Sequence, residues 1–425
     1  QPPLYYVLMA VITSWIDTSD LPEVHHKNLY AFIGNPNQIG NKNLIIHDPA
    51  HELLPGQGTF LAVNLIRLAS ICLGLGTIWL TYRLGAMLFS PQIGLLAAGL
   101  TAFNPMFLFI SAAVNNDSLG ALLGVWGLYL LVRVWRDQPD PRTNWPRYVF
   151  LGLILGLGIL TKLSLGGLLG LTGLALAWQA WRHKEWRLLF QGGILVLVVA
   201  TAVSGWWFVR NWQVYGDLTG LNAFIAVQGV RDTPIRLAGW VSEFGTFYRT
   251  YWGLFGGLNI APPTIFYTTV NIFVIVASLG FLYWLWRNQT RWPSGLGLLI
   301  AWALILMALL IRWTFIYPSF QGRLIFPALG AVNILWGVGL MTFKRPKFAA
   351  GLVGVLAIAA LLFPMLTIRP AYAFPEPVTA VPPTAQFGPV TFQAGDGQIQ
   401  LVGMEMEPGQ SITPVEEPVQ LILYW

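Results

Sequence analysis

The residues best suited to chemistry are charged and amide side chains at the ends of long apolar segments. They form four groups: Asn115, Asn116 and Asp117; Lys162; Arg210 and Asn211; and Gln321 with Arg323. Lysine and arginine are the donors that hold phosphate oxygens most effectively in proteins. The pattern therefore predicts a site for an anionic lipid headgroup, formed where several helices reach the same membrane surface.

Each group also has a simpler structural interpretation. Lys162 could extend its ammonium group to lipid headgroups, and Arg210, which follows Trp206 and Trp207, could belong to an aromatic belt at the interface. Residues 115–117 precede a predicted helix, where capping is the usual role of such side chains. These interpretations stay open beside the functional one.

Metal and nucleophile chemistry have weaker support. His47 and His51 are spaced like two ligands on one helical turn, but Pro49 lies between them and disfavours that helix. They are weak metal candidates, no cofactor is certain, and a requirement for a divalent metal stays open. Cys72 lies in an apolar stretch and is predicted to be a buried apolar side chain.

The segments that carry these residues are predicted to be membrane-spanning helices. Of 425 residues, 55% are hydrophobic and only 10% are charged, whereas soluble domains have about 25% charged residues. This composition excludes soluble, disordered and fibrous proteins. Apolar runs of roughly 20 residues predict about ten spans, centred on 62–82, 92–113, 117–135, 148–162, 164–182, 188–209, 266–286, 294–316, 323–343 and 348–368.

The basic residues predict the orientation of these spans. If residues 17–61 lie outside and the spans alternate, the cytoplasmic side carries a net charge of +10 and the outer side −4, which together give the net +6 of the chain. This asymmetry follows the positive-inside rule. It places the polar groups around Asp117, Lys162, Arg210 and Arg323 at the outer face, and it gives no indication of nucleic-acid binding.

Six regions are predicted along the chain. An outer loop with an interfacial helix at 3–16 precedes two sets of transmembrane helices, which are separated by a second outer loop. A Pro-rich linker then leads to short strands at 390–393, 398–407 and 419–425, the start of an outer β-sandwich that is incomplete in what we take to be part of a longer protein. The boundaries are 1–61, 62–209, 210–265, 266–368, 369–389 and 390–425.

The segment Gln1-Pro2-Pro3-Leu4-Tyr5-Tyr6 resembles the Pro-Pro-Leu segment in the first outer loop of GT-C membrane glycosyltransferases. The relevant relatives are glycosyltransferase family 39, the dolichyl-phosphate-mannose protein mannosyltransferases, and the bacterial lipid A aminoarabinose transferases. Further similar segments follow in the same order over roughly 1–345; they are 64–70 with 82–85, 104–107 leading to 115–117, 158–162, and 321–327.

This resemblance implies an all-α, polytopic GT-C-like helical bundle followed by the truncated extracytoplasmic β-sandwich segment. It also implies an inverting glycosyltransferase in the cytoplasmic (inner) membrane, with an extracytoplasmic active site. The donor would be a polyprenyl-phosphate-linked sugar, and the acceptor a lipid, glycan or protein. Lys162 matches the family's donor-phosphate lysine, Arg323 is a second candidate for that role, and Arg210 is a weaker third. The family's catalytic acid would lie before Gln1.

Two other functions fit the same composition. A permease or flippase for lipid-linked sugars would move its substrate without forming a glycosidic bond, and it would need polar groups inside the helix bundle. A non-catalytic membrane scaffold would act through its outer β domain. The middles of the predicted spans carry almost no charge, which favours the transferase.

Overall fold

The structure is a computed structural model, and it describes residues 1–38, 40–46, 52, 56–138, 140–231, 235–373, 390–394, 397–401, 403–406 and 421–424. The chain divides into two units, Gln1–Tyr372 and Ala373–Trp425. The first unit is helical and holds every predicted site residue that the structure describes.

The helices of the first unit alternate between long apolar elements and short elements near their ends. In chain order they are α1 Leu4–Thr13, α2 Leu21–Val24, α3 Gly58–Leu88, α4 Pro91–Ala102, α5 Pro105–Ser111, α6 Asp117–Asp137, α7 Trp145–Ile159, α8 Gly166–His183, α9 Ile194–Tyr215, α10 Leu221–Gln228, α11 Leu237–Trp252, α12 Thr264–Arg287, α13 Leu296–Ile316, α14 Leu329–Thr342, α15 Pro346–Phe363 and α16 Arg369–Ala371. Short 3₁₀ segments, Leu163–Leu165 and Gly322–Ala328, lead into α8 and α14, and π-helical turns, Leu188–Gly193 and Pro364–Ile368, precede α9 and α16.

Within the described residues, eight helices are long and apolar enough to span a membrane, or nine if the bent pair α4–α5 counts as one span. The predicted fold class, a helical polytopic membrane protein, is confirmed. The count of about ten differs because α7 has only 15 residues. At 1.5 Å per residue it is about 22 Å long, shorter than the hydrocarbon core.

The predicted span 92–113 is broken near its middle. The axes of α4 and α5 differ by 65°. Pro105 starts α5, and the residue before a proline is disfavoured in helical geometry. Asn104 is extended, and its Oδ1 accepts a hydrogen bond from the Phe107 N–H at 3.0 Å. Asn104 and Pro105 therefore end one helix and start the next.

Helix α6 and the 3₁₀–α14 segment form the centre of the bundle. In their most apolar stretches 67% and 72% of residues are buried, against 11% for Pro346–Ala371 at the periphery. Apolar side chains on the peripheral helices are free to face lipid. Cys72 on α3 is exposed, so the expectation of a buried thiol is wrong; it lies on such an outward face.

The two segments that the sequence predicts to be outer loops pack against each other. The Asn259 side chain donates hydrogen bonds to the backbone oxygens of Phe32 at 2.7 Å and Lys42 at 3.1 Å. Beside them, β1 (His26–Lys27) and β2 (Ile45–Ile46) form a short antiparallel pair. The first outer segment is thereby fixed to the second one.

A helix, α1, is present where the sequence predicts an interfacial one, and its position in the membrane interface stays a prediction. Its Tyr5 is fully buried, and the Tyr5 hydroxyl lies 2.8 Å from the Ser70 hydroxyl on α3. The opposite side of α1 is exposed and apolar, and it includes Val7 and Val11. This two-sided character is typical of a helix that lies in the membrane interface.

The described residues of the second unit contain two antiparallel strand pairs. Strands β3 (Val390–Ala394) and β4 (Gly397–Leu401) form one pair, and β5 (Gly403–Met406) and β6 (Leu421–Tyr424) form the other. The predicted single strand 398–407 is therefore wrong, since its two halves pair with different partners. The β-sandwich itself stays a prediction.

Close backbone contact joins α12 to α14. A Cβ atom placed on Gly339 would lie 1.9 Å from the Ala277 carbonyl oxygen, and one on Gly280 would lie 2.3 Å from the Gly339 oxygen. Small residues allow membrane helices to approach this closely. The central position of α14 therefore depends on these two glycines.

We expect Gly339→Ala to lower thermal stability clearly, by roughly 2 kcal/mol or more, because α12 and α14 must separate. Gly351→Ala on α15 is the matched control, since a Cβ there meets nothing within 4 Å. Unfolding midpoints in detergent or nanodiscs provide the measurement. Equal midpoints for the two variants would contradict the proposed helix contact.

Candidate functional site

A buried carboxylate lies between two cations at one end of the bundle. Asp117, the first residue of α6, is 4% exposed. Its Oδ1 is in contact with Lys162 Nζ, and its Oδ2 lies 3.5 Å from Arg323 Nη1. Three separate segments thus bring opposite charges together where little water reaches them, and the sum of the three formal charges is +1.

Lys162 is positioned by the break that follows α7. The helix ends at Ile159, and Lys162 has extended backbone geometry before the 3₁₀ turn Leu163–Leu165. The Leu160 carbonyl, freed by this break, accepts a hydrogen bond from Leu4 N–H at 2.9 Å. The lysine therefore leaves the helix at a fixed point, beside the start of α1.

Two glycines on α6 make room for the groups that approach Asp117. A Cβ on Gly120 would lie 3.1 Å from the Lys162 side chain, and one on Gly124 would lie 2.4 Å from the Pro327 carbonyl oxygen. Asp117, Gly120 and Gly124 are spaced i, i+3, i+7 and so share one helix face. This face receives both the lysine stem and the 3₁₀ segment that carries Arg323.

Arg323 is held by its neighbours in the chain and by α11. The Gly322 N–H donates to the Thr250 hydroxyl at 2.7 Å, and a Cβ on Gly322 would lie 2.3 Å from the Phe247 carbonyl oxygen. Gln321 Oε1 accepts a hydrogen bond from Arg323 Nε at 2.8 Å. The guanidinium is thus oriented, while the Arg323 side chain remains about one-third exposed.

Asn115 and Asn116 support the site instead of entering it. Asn115 Oδ1 accepts from the Asp117 N–H at 2.8 Å, and Asn116 Nδ2 donates to the Thr161 carbonyl at 2.9 Å. Asn115 thus forms a local turn ahead of α6, while Asn116, at the N-cap position, makes no side-chain capping bond, and Asp117 is ion-paired. The second bond joins the start of α6 directly to the break that carries Lys162.

Tyr6 was not identified from the sequence, although it lies in the Pro-Pro-Leu-Tyr-Tyr segment. Its hydroxyl donates to Gln1 Oε1 at 2.7 Å. Burial, followed by the negative charge of Asp117, raises the pKa of the Tyr6 phenol. A neutral hydroxyl therefore lies near the ion cluster, supplied by a helix that sequence periodicity alone could not place there.

An apolar cavity of about 530 Å³ begins next to Lys162. Leu163 and Ser164 line it together with residues of α8, α9, α10 and α13, and the guanidinium-bearing residue Arg312 also contributes. Phe224 of α10 forms one wall, with its ring 6.0 Å from the rings of both Trp313 and Tyr317. The cavity volume is typical of small-ligand sites.

Arg210 and Asn211 lie apart from the Asp117 cluster. The Arg210 guanidinium donates to Asn211 Oδ1 at 3.3 Å and lies 5.7 Å from the centre of the Tyr215 ring. Both residues line a second cavity of about 570 Å³ with Trp206 and Trp207, and this cavity shares Trp207 and Phe224 with the first one. Of the predicted site residues, Lys162, Asp117, Gln321 and Arg323 are brought together, and Arg210 and Asn211 are not.

Metal ligands can be judged only in part. His47 and His51 lie outside the described residues. Across the part of the chain that the structure describes, no group of three or more His, Cys, Asp or Glu side chains could hold a metal ion.

The other end of α6 carries a different kind of ion pair. Asp137 Oδ2 lies 2.9 Å from Arg147 Nη1, and both side chains are more than 40% exposed. Exposed pairs of this kind contribute little. The two ends of one helix thus offer an internal comparison between a buried and an exposed carboxylate.

A double-mutant cycle of Asp117→Ala and Lys162→Ala should give a coupling energy of about 2 kcal/mol or more in thermal or denaturant unfolding. Either single change leaves a buried charge without its partner, whereas the double change removes both. The same cycle on Asp137 and Arg147 should give less than about 1 kcal/mol. Similar values for both pairs would show that burial does not strengthen the Asp117 pair.

Comparison with known proteins gives one match by sequence. Residues 62–207 match the family model described as dolichyl-phosphate-mannose-protein mannosyltransferase. The matched segment includes Asp117 and Lys162. No protein of curated function matches the chain by sequence.

Solved structures with a related arrangement are distant. ArnT from Cupriavidus metallidurans, in the apo state, is 18% identical with a TM-score of 0.44, covering 74% of this chain and 52% of ArnT. ArnT bound to undecaprenyl phosphate is 16% identical with a TM-score of 0.47, covering 73% and 52%.

The oligosaccharyltransferase AglB from Archaeoglobus fulgidus, in complex with an inhibitory peptide and a dolichol-phosphate, is 14% identical with a TM-score of 0.40, covering 87% and 54%. The chain spans about half the length of these proteins. The family match over residues 62–207 confirms the resemblance to the family 39 glycosyltransferases of the GT-C superfamily that the sequence predicts.

Proposed function

We propose that this protein is a membrane glycosyltransferase that uses a sugar linked to a polyprenyl phosphate as its donor. The observation that carries the proposal is the meeting of Lys162 and Arg323 at Asp117, in a bundle whose apolar cavity is lined by Leu163, the residue that follows Lys162 in the chain. A lipid-linked sugar phosphate needs both a cationic site for its phosphate and an apolar surface for its chain.

The two cations suit a phosphate that gains charge during the reaction. When the glycosidic bond to the phosphate breaks, the leaving phosphate becomes more negative. Fixed cations in a poorly hydrated site stabilise such developing charge more than they stabilise the ground state. Arg323 has the more exposed side chain of the two, so its guanidinium can bind the phosphate directly. Lys162 is more buried and adds positive charge to the site.

Asp117 is not assigned the role of general base. One carboxylate oxygen contacts Lys162 and the other faces Arg323, so neither is directed at an acceptor hydroxyl. The family resemblance expects the base ahead of Gln1, and inversion at the sugar carbon would follow from a single displacement.

The cavity beside Lys162 is the proposed site for the lipid chain. Its lining is mainly apolar, and it lies between helices that we place in the membrane. It begins at Leu163, the residue that follows Lys162. A chain lying there would place its phosphate at the cation pair, at the membrane level that the charge distribution assigns to the extracytoplasmic face.

Lys162→Ala and Arg323→Ala should each lower kcat/KM for sugar transfer by about a hundredfold or more, because each removes a charge that stabilises the leaving phosphate. Transfer of labelled sugar from a polyprenyl-phosphate donor by the full-length protein in proteoliposomes is the measurement. Arg147→Ala, at the opposite end of α6, is the control and should retain activity. Normal turnover in both site variants would overturn the proposed phosphate site.

The same preparation separates a transferase from a permease. A permease predicts movement of the labelled lipid across the vesicle membrane with no new glycosidic bond. If this result is obtained, and the Lys162→Ala variant still moves the labelled lipid, the protein is a permease and the transferase proposal is wrong.

Leu309→Trp should raise the KM for a long-chain donor about tenfold and leave a donor of about three isoprene units unaffected. Leu309 lines the cavity, so the larger ring would occupy space needed by the distal part of the lipid. Leu304→Trp is the matched control: it lies on the same helix and its side chain is 64% exposed. Equal effects on both donor lengths would argue against lipid binding in this cavity.

A further inference from the structure

We infer that Asp117 shifts the charge preference of the site toward the singly charged donor phosphodiester, because it weakens binding of the doubly charged product monoester more than binding of the diester. This inference rests on the proposed function and assigns to Asp117 a role as a specificity-determining residue. It explains why a cationic phosphate site would hold a buried carboxylate in contact with both of its cations.

The formal charges of the site support this preference. Lys162, Arg323 and Asp117 sum to +1. A sugar linked through a phosphodiester carries one negative charge, so its binding gives a neutral cluster. The polyprenyl phosphate left after transfer is a monoester with a charge of about −1.5 to −2 near pH 7. Product binding therefore leaves an excess of negative charge in a poorly hydrated site.

The burial of the three groups makes this imbalance effective. The side chains of Lys162 and Asp117 are 12% and 6% exposed, and that of Arg323 is 32% exposed. Charges interact more strongly where water is scarce. Repulsion from Asp117 acts on each ligand in proportion to the ligand's charge, so it weakens monoester binding about twice as much, in free energy, as diester binding.

The remaining neighbours of Asp117 do not alter this comparison. Among the described residues, Tyr6 approaches from α1 and is neutral at pH 7, with a pKa raised by burial and by Asp117. Arg312 lines the adjoining cavity and adds the same positive charge in every variant. Tyrosine, lysine and arginine ordinarily titrate above pH 9, so between pH 5 and pH 7.5 the monoester is the group whose charge changes.

The experiment measures equilibrium binding of two ligands to the full-length protein in nanodiscs. The ligands are a polyprenyl monophosphate and the methyl phosphodiester of the same chain, so that the contribution of the lipid cancels. The informative variants are Asp117→Asn, which raises the cluster charge to +2, and Gln321→Glu, which lowers it to zero while keeping the oxygen that accepts from Arg323.

For Asp117→Asn at pH 7.5 we expect the diester Kd to fall about tenfold and the monoester Kd to fall about a hundredfold, since the Coulomb energy is proportional to ligand charge. Gln321→Glu should raise the Kd values of both ligands, again with the larger change for the monoester. At pH 5 the monoester carries one charge, and the two ligands should respond equally.

Asp137→Asn is the matched control, since it neutralises the exposed carboxylate at the other end of α6. It should leave both Kd values unchanged. This control removes any general effect of losing one negative charge from the protein.

The outcomes separate the inference from the proposed function. If the wild-type protein binds neither ligand, the proposed function fails, and the inference with it. If the wild type binds both ligands but each of the two variants changes both Kd values by the same factor, or Asp117→Asn weakens both ligands, Asp117 has only a structural role and the inference alone is overturned.

Discussion

The negative charge of Asp117, buried at the start of α6, is the constraint on which the site depends. An isolated carboxylate in this position would be strongly unfavourable, because a buried charge needs partners to replace the water it has lost. Lys162 and Arg323 supply that compensation from two segments distant in sequence. The same interaction that stabilises the carboxylate thereby fixes the positions of two cations at one end of the bundle.

The surrounding helices have features that make this meeting sterically feasible. Gly120 and Gly124 give α6 a flat face, against which the Lys162 stem and the backbone at Pro327 lie. The chain breaks after α7, so that Lys162 can turn toward α6. Gly322 contacts α11 closely enough to set the direction of Arg323. Two of the irregular backbone segments of the bundle, after α7 and before α14, therefore lie where these charged side chains converge.

The position of the apolar cavity joins this ion cluster to the membrane. Leu163 and Ser164 extend directly from Lys162 into the cavity wall. A ligand with an anionic head and a long hydrocarbon chain matches both surfaces at once, whereas a soluble sugar phosphate would use only the first. Arg210, in contrast, contacts Asn211 and lines a second cavity that shares Trp207 and Phe224 with the first, so it adjoins the proposed lipid site and lies outside the ion cluster.

The amino-acid sequence by itself determined the class of protein, most of its spans and the residue types at the site. Apolar runs and their length are local properties, so they are readable without a fold. The resemblance at residues 1–6 and 158–162 also lies in short contiguous segments, and the family match over residues 62–207 confirmed it for the second of these segments.

Only the tertiary structure decided which of the polar residues are neighbours. Asp117 is separated from Arg323 by 206 positions in the chain, and no periodicity links them. The bend at Asn104 and the lipid-facing position of Cys72 were likewise settled by packing. Burial is the physical reason: the sequence shows which side chains carry charge, but the distances and the exclusion of water that give those charges their effect arise when the helices assemble.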